Sequence, residues 1–224
     1  DPSIKREVLT MKNLILVIVL LIFTFSVSAQ TANDGFNPDA NALIQKLVVM
    51  DNGYVLVGGG FTTVGGLTRN RVARLNASGA PDSFFNADVN GNVNAVAVQT
   101  NGKILIGGAF SFVGGVEHTN VARLNADGTP DALFTAPNGA VRSIAIQPDG
   151  KFIMAGAFTL VGSVTRQRLS RQNADGTIDT GFIANASDAI ETVVLQPDGK
   201  ILVGGLFTTI NGVTRNRVAR LNSD

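Results

Sequence analysis

An all-β architecture of four stacked, near-identical units is predicted by three features of this 224-residue sequence. The first is a repeat of roughly 49 residues, anchored by GGGF at 58–61, GGAF at 107–110, AGAF at 155–158 and GGLF at 204–207. The same steps separate Gly53, Gly102, Gly150 and Gly199, and also Arg74, Arg123, Arg171 and Arg220. The second is strand-like alternation with no segment of helical period. The third is a tight-turn signature at two fixed places in each copy. Repeats that cannot close a core alone must stack on their neighbours.

The second copy shows the elements in order. Val93 to Gln99 alternates as a half-buried strand and ends at Thr100-Asn101-Gly102, a hairpin turn. Lys103 to Phe110 is the second strand, and its paired glycines suit a bulge or a close backbone approach. Asn120 to Asn125 is the third strand. Asn125-Ala126-Asp127-Gly128 forms another tight turn, and Asp131 to Phe134 reads as a short fourth strand. Four antiparallel strands per unit, repeated radially, make a β-propeller blade. Phe61, Phe110, Phe158 and Phe207, with Phe36, Phe85, Phe134 and Phe182, occupy two repeat-locked rows and are expected to wedge between adjacent sheets. The copies run about 36–85, 85–134, 134–182 and 182–224 within a domain of 30–224. Asn33-Asp34-Gly35-Phe36 resembles the end of a repeat, so the N-terminal strand is expected to complete the last blade and close a four-bladed ring. The rival reading is a piece of a larger propeller.

Residues 11–29 read as an export signal: a basic start at Met11-Lys12, an apolar run from Leu14 to Val27, and a small-residue cleavage pattern at Val27-Ser28-Ala29. The run is short for a membrane helix, which needs about 20 residues, so no stable membrane insertion is expected after cleavage. Residues 1–10 lie upstream of the first methionine and are read as outside the translated protein. Residues 30–224 then carry 15 basic and 15 acidic groups, which argues against nucleic-acid binding. With no cysteine in the chain, disulfides and thiolate metal sites are excluded. The expected location is secreted, surface or periplasmic.

QPDGKILVGGLFTTINGVTRNRVARLN at 196–222 closely resembles the consensus of the delta-60 repeat β-propellers, and the likeness extends over about 36–224. The double glycine and following polar turn are also similar to kelch repeats. The resemblance implies an exported, non-catalytic propeller.

In a four-stranded meander, the first-to-second and third-to-fourth turns share one face. The longer second-to-third loops and the inter-blade links share the other. That second face diverges between copies, and loops on a rigid scaffold commonly carry function. Arg69, Arg71, Arg166, Arg168, Arg215 and Arg217 fall in its loops, and Asp39, Asp88 and Asp188 in its links. One reading makes Arg69, Arg166 and Arg215 forks for carboxylate or sulfate groups, with Asp88 beside them. The other makes these charges an ordinary paired rim. Glu117-His118 replaces the Thr-Arg of the sister copies and includes the chain's one histidine, so it joins the candidate ligand-binding set. Arg74, Arg123 and Arg171 are each followed eight residues later by Asp82, Asp131 and Asp179, and are expected to form ion pairs within the blade.

Catalysis is poorly supplied. One histidine, no cysteine and no Gly-x-Ser-x-Gly elbow leave a nucleophile without a partner. Asp39, Asp88, Asp188 and Glu191 could act on a glycoside only if two of them converged. The NADG turn faintly resembles an Asp-rich calcium loop, but its glycine already accounts for it, and no metal or cofactor is expected. The sequence therefore favours a binding module for a carbohydrate, a peptide or a cell-envelope partner. A purely structural spacer is the alternative.

Overall fold

The structure is a computed structural model that describes residues 35–131 and 134–223; the expected signal at 11–29, the upstream segment 1–10 and Asn33-Asp34 lie outside the described residues. Gly35 onward forms one compact unit. Among the described residues every regular element is a strand. The repeat builds the same three-stranded antiparallel sheet four times. The first strands are Ile44–Val49, Asn92–Val98, Val141–Ile146 and Ile190–Leu195. The second are Val55–Gly59, Ile104–Ala109, Phe152–Gly156 and Ile201–Gly205, and the third Val72–Leu75, Val121–Leu124, Leu169–Gln172 and Val218–Leu221. In each sheet the second strand is central.

Two expectations about the blade change. The fourth strand shrinks to a single bridge in three blades, Leu75 with Pro81, Leu124 with Pro130 and Gln172 with Ile178. In two of them the bridging residue is proline, which has no amide hydrogen to donate, but the third blade's Ile178 makes the same single bridge. The long second-to-third connection, in contrast, is an ordered hairpin: Thr63–Val64 with Leu67–Thr68, and likewise in every blade. Gly65 and Gly66 have φ of 54° and 75°, the left-handed pair that a two-residue hairpin turn requires. Each blade is thus a three-stranded sheet with a two-stranded flap.

The core lies between blades. Leu56 and Val72 of the first blade join Val93, Val96, Ile104 and Phe110 of the second in one buried cluster. Ala95, Leu105 and Val121 do the same with Val141, Ile144 and Phe158 of the third. Ile153, Ala155 and Leu169 then meet Ile190, Val193 and Phe207 of the fourth. Phe61, Phe110, Phe158 and Phe207 are all buried, as the repeat predicts, and so are Phe85 and Phe182, whereas Phe36 is 38% exposed.

First strands of consecutive blades pack on each other, from the first blade through to the fourth. Among the described residues no comparable packing joins the fourth blade back to the first. The expected meeting of the two ends is not seen among the described residues, Asn33-Asp34 lying outside them, and the four blades described form an open arc. Phe36 packs on Gly79, in the first blade's own third-strand turn, as Phe134 packs on Gly176. It marks the entry to the first blade.

Candidate binding site

Every first strand contains a bulge at the same place. Pairing skips Gln45, Asn94, Arg142 and Glu191 in turn. The opposing glycines make this possible. A Cβ on Gly59, Gly108, Gly156 or Gly205 would lie 2.0–2.3 Å from the carbonyl oxygen of Leu43, Asn92, Ala140 or Ala189, a separation no side chain tolerates. A bulged residue is unpaired and re-aims its side chain. Because the first strands form the inner edge of the arc, the four bulged residues are brought together, and they line a single shallow cavity of about 240 Å³. The bulges sit just after the inter-blade links, so the cavity lies toward the divergent-loop face.

The four differ in chemistry although their surroundings repeat. Arg142 is ion-paired with Glu191 across the junction between the third and fourth blades, and both are partly open to solvent. Asn94 donates through Nδ2 to the carbonyl of Val141 at 3.1 Å. Gln45 is exposed. The cavity thus presents a guanidinium, a carboxylate and two amides, all of which can both hold and orient a polar ligand.

The residues singled out from sequence are distributed differently. Arg69 and Arg166 are buried. Arg69 donates to the carbonyls of Thr68, Asp82 and Ser83 at 2.7–3.1 Å, and Arg166 to those of Thr165 and Asp179. Reading these two as ligand-gripping forks is corrected: each guanidinium closes the hairpin flap onto backbone carbonyls of its own repeat. Arg215 has the same bond to Thr214 at 2.8 Å but is exposed. Arg71, Arg168 and Arg217 all have positive φ and donate to the carbonyls of Gly60, Ala157 and Leu206. Asp88 is exposed and accepts from Asn70 Nδ2 at 2.7 Å. Glu117 and His118 share a shallow pocket with Thr119 and Phe134. His118 is buried, and desolvation pulls its pKa below the ordinary 6.5. These residues do not converge on one site. Of the four carboxylates considered for glycoside chemistry, only Glu191 lines the axial cavity.

The links hold an anchor that sequence reading passed over. Asn41 Oδ1 accepts the amides of Thr62 and Thr63, Asn90 those of Ser111 and Phe112, and Asn138 those of Thr159 and Leu160. Ser187 does the same for Thr208 and Thr209. These positions step with the repeat, which was the available signal.

The expected third-strand ion pairs form. Arg74 meets Asp82 at 2.6 Å, Arg123 meets Asp131 at 2.6 Å and Arg171 meets Asp179 at 2.9 Å. Lys103 and Lys151 add second cations to Asp131 and Asp179 at 2.8 Å. Hydrogen bonding from those lysines, followed after opposing desolvation by the arginines, holds both carboxyls below the ordinary 3.8. Each arginine also reaches the next blade. Arg74 donates to Ala126 O at 2.5 Å, Arg123 to Ala174 O at 2.8 Å, and Arg171 to Ser223 O. Each lies over a link phenylalanine, Phe85, Phe134 or Phe182, 4.7–5.1 Å from the ring centroid. In the NADG turn Asp127 Oδ1 accepts from Thr129 N and Oγ1. No cluster of three or more potential metal ligands occurs among the described residues.

Comparison with known proteins agrees with this architecture. The model of the β-propeller domain of unknown function DUF5122 matches residues 51–85, 99–134, 147–182 and 196–224, and the chain belongs to that family. A search of curated proteins found no significant match. Among solved structures, a protein of unknown function from Bacteroides caccae aligns with 80% of this chain and 63% of its own, at 13% identity and TM-score 0.52. Virginiamycin B lyase from Staphylococcus aureus, catalytically inactive and with quinupristin, aligns with 87% of this chain and 58% of its own, at 16% identity and TM-score 0.51. PorZ, a surface component of the type-IX secretion system of Porphyromonas gingivalis, aligns with 72% of this chain and 24% of its own, at 18% identity and TM-score 0.47. At these identities the first two likenesses show the fold alone. The chain spans less than two thirds of the length of each of these structures.

Proposed function

We propose that this chain is an exported, non-catalytic binding module that holds a polar cell-envelope ligand, a carbohydrate or a peptide, at its axial cavity. One observation carries the reading: the four bulged residues Gln45, Asn94, Arg142 and Glu191 share one cavity, yet each blade supplies a different side chain there. Residues that serve the repeat are constant between copies. The bulge is constant, and the side chain it aims inward is not. Arg142 offers forked donors for carboxylate or hydroxyl oxygens, Glu191 accepts from hydroxyl or amine groups, and the two amides do both. The mix suits a neutral or zwitterionic ligand. No helix among the described residues is long and apolar enough to cross a membrane.

A glycan and peptide array probed with the purified chain tests this. Retention that disappears in Arg142→Ala and in Glu191→Gln is the expected result. Retention unchanged in both variants contradicts the axial site, and no retention of any probe favours a structural spacer. The buried, inward-turned Arg69 and Arg166 are what a spacer would also contain.

A further inference from the structure

The three junctions between consecutive blades repeat one contact set, and the arc leaves the two halves of that set uncovered at its ends. Val72, Val121 and Leu169 occupy one position of the third strand and are no more than 2% exposed, each against the following blade. Val218 holds the same position in the fourth blade and is 64% exposed. Val194, equivalent to the half-buried Val48 and Ala97, is 54% exposed. On the opposite end, Val96, Ile144 and Val193 are buried against the preceding blade, whereas their counterpart Leu47 is 58% exposed and the neighbouring Val49 is 68% exposed.

The polar half of the junction is open in the same way. Arg74, Arg123 and Arg171 each reach a carbonyl of the next blade, and Arg220 makes no hydrogen bond or ion pair among the described residues. It lines a cleft of about 430 Å³ with Phe182, Asn211 and Leu221. The carbonyl that completes the pattern exists at the other end of the arc: Ala77 in the first blade's third-strand turn is the counterpart of Ala126.

We propose that two copies of this chain join head to tail, the fourth blade of each docking on the first blade of the other, to close one eight-bladed ring. The occupant is specified by continuity with the three existing junctions, because each exposed end face is the complement of the other. Gly58 lies against Val93 and Val96, and Gly107 against Val141 and Ile144. By the same rule Gly204 of one copy faces Ile44 and Leu47 of the other. Arg220 then donates to the other copy's Ala77 carbonyl. Two identical junctions related by a twofold axis close the assembly, and eight blades is within the range propellers adopt. This inference does not depend on the axial site's ligand.

Light scattering on the purified full chain tests it, together with Leu47→Asp and Val218→Asp, whose positions are exposed in a single copy and whose far-UV circular dichroism should match the parent. The expected mass is twice that of the chain, falling to a single chain in either variant. Mixing the two variants should restore an intermediate association, since one intact junction can still form. A parent that stays monomeric at the highest concentration reached overturns the proposal, as does a dimer that neither substitution weakens. An open-ended series of larger species overturns the closed ring.

Discussion

The third and fourth blades present nearly the same face on their C-terminal side, yet only one of those faces is covered. Ile153, Ala155, Leu169 and Arg171 are buried against the fourth blade. Their counterparts Leu202, Gly204, Val218 and Arg220 have no blade beyond them among the described residues, and Val218 and Arg220 are exposed. Local pattern is shared; environment is not. Burial here is a property of the junction between units, as the nearest-neighbour description of repeat proteins requires.

Emptying a junction should disturb the covered face most severely. Phe158 is fully buried between the second and third blades, and Phe158→Ala should lower the unfolding free energy by about 3–5 kcal/mol in denaturant titration. A loss below about 1 kcal/mol would mean that the interface collapses around the gap. Overfilling should cost less. A methyl at Gly107 would lie 2.5 Å from a Val141 methyl, whereas one at Gly204 meets only the Thr192 methyl at 3.1 Å and a carbonyl at 3.8 Å. Gly107→Ala should therefore destabilise by roughly 1–3 kcal/mol, with Gly204→Ala close to neutral in dilute protein. Equal losses would place the strain within the blade.

Protonation sharpens the same contrast between buried and open groups. His118 is kept neutral by burial, so its folded pKa lies below the unfolded value of 6.5. The stability it contributes is complete above that value and declines as pH falls through the window beneath it. Melting temperature should drop between neutral pH and the acid side of this window, and His118→Gln should flatten that slope. Asp131 and Asp179 act lower down: their folded pKa values are depressed, so their contribution is present above 3.8 and is lost as pH falls through the folded values. A small effect on stability belongs to the axial pair. Arg142 and Glu191 are partly solvated, and Arg142→Ala should change stability by less than about 1 kcal/mol while removing ligand retention.

Much of this fold was legible because the repeat displays it. Phenylalanine rows, paired glycines and the Arg–Asp step of eight all proved to be structural devices, since a residue needed at every junction must recur in every copy. Where the reading failed, the physics was relational. The expected fourth strand, Asp131 to Phe134 in the second copy, gives way among the described residues to one bridge just before it, Leu124 with Pro130. Gly65-Gly66 inside a supposed loop is itself a hairpin turn. Arg69 and Arg166 look like surface charge in sequence, and only the fold reveals the carbonyls they close upon. The axial cavity stayed hidden because each blade contributes one unremarkable residue, and a bulge is visible only once strand register is known.

The third-strand arginines give the most direct measurement of the claim that stability resides between blades. In a Leu47→Asp background, which prevents any association through the end faces, unfolding free energies of Arg171→Ala and Arg220→Ala should be compared side by side. Arg171 holds Asp179, Ser223 and Phe182, so its removal should cost on the order of 2 kcal/mol, against less than about 0.5 kcal/mol for Arg220. Equal losses at the two positions would show that the stability resides within each blade instead.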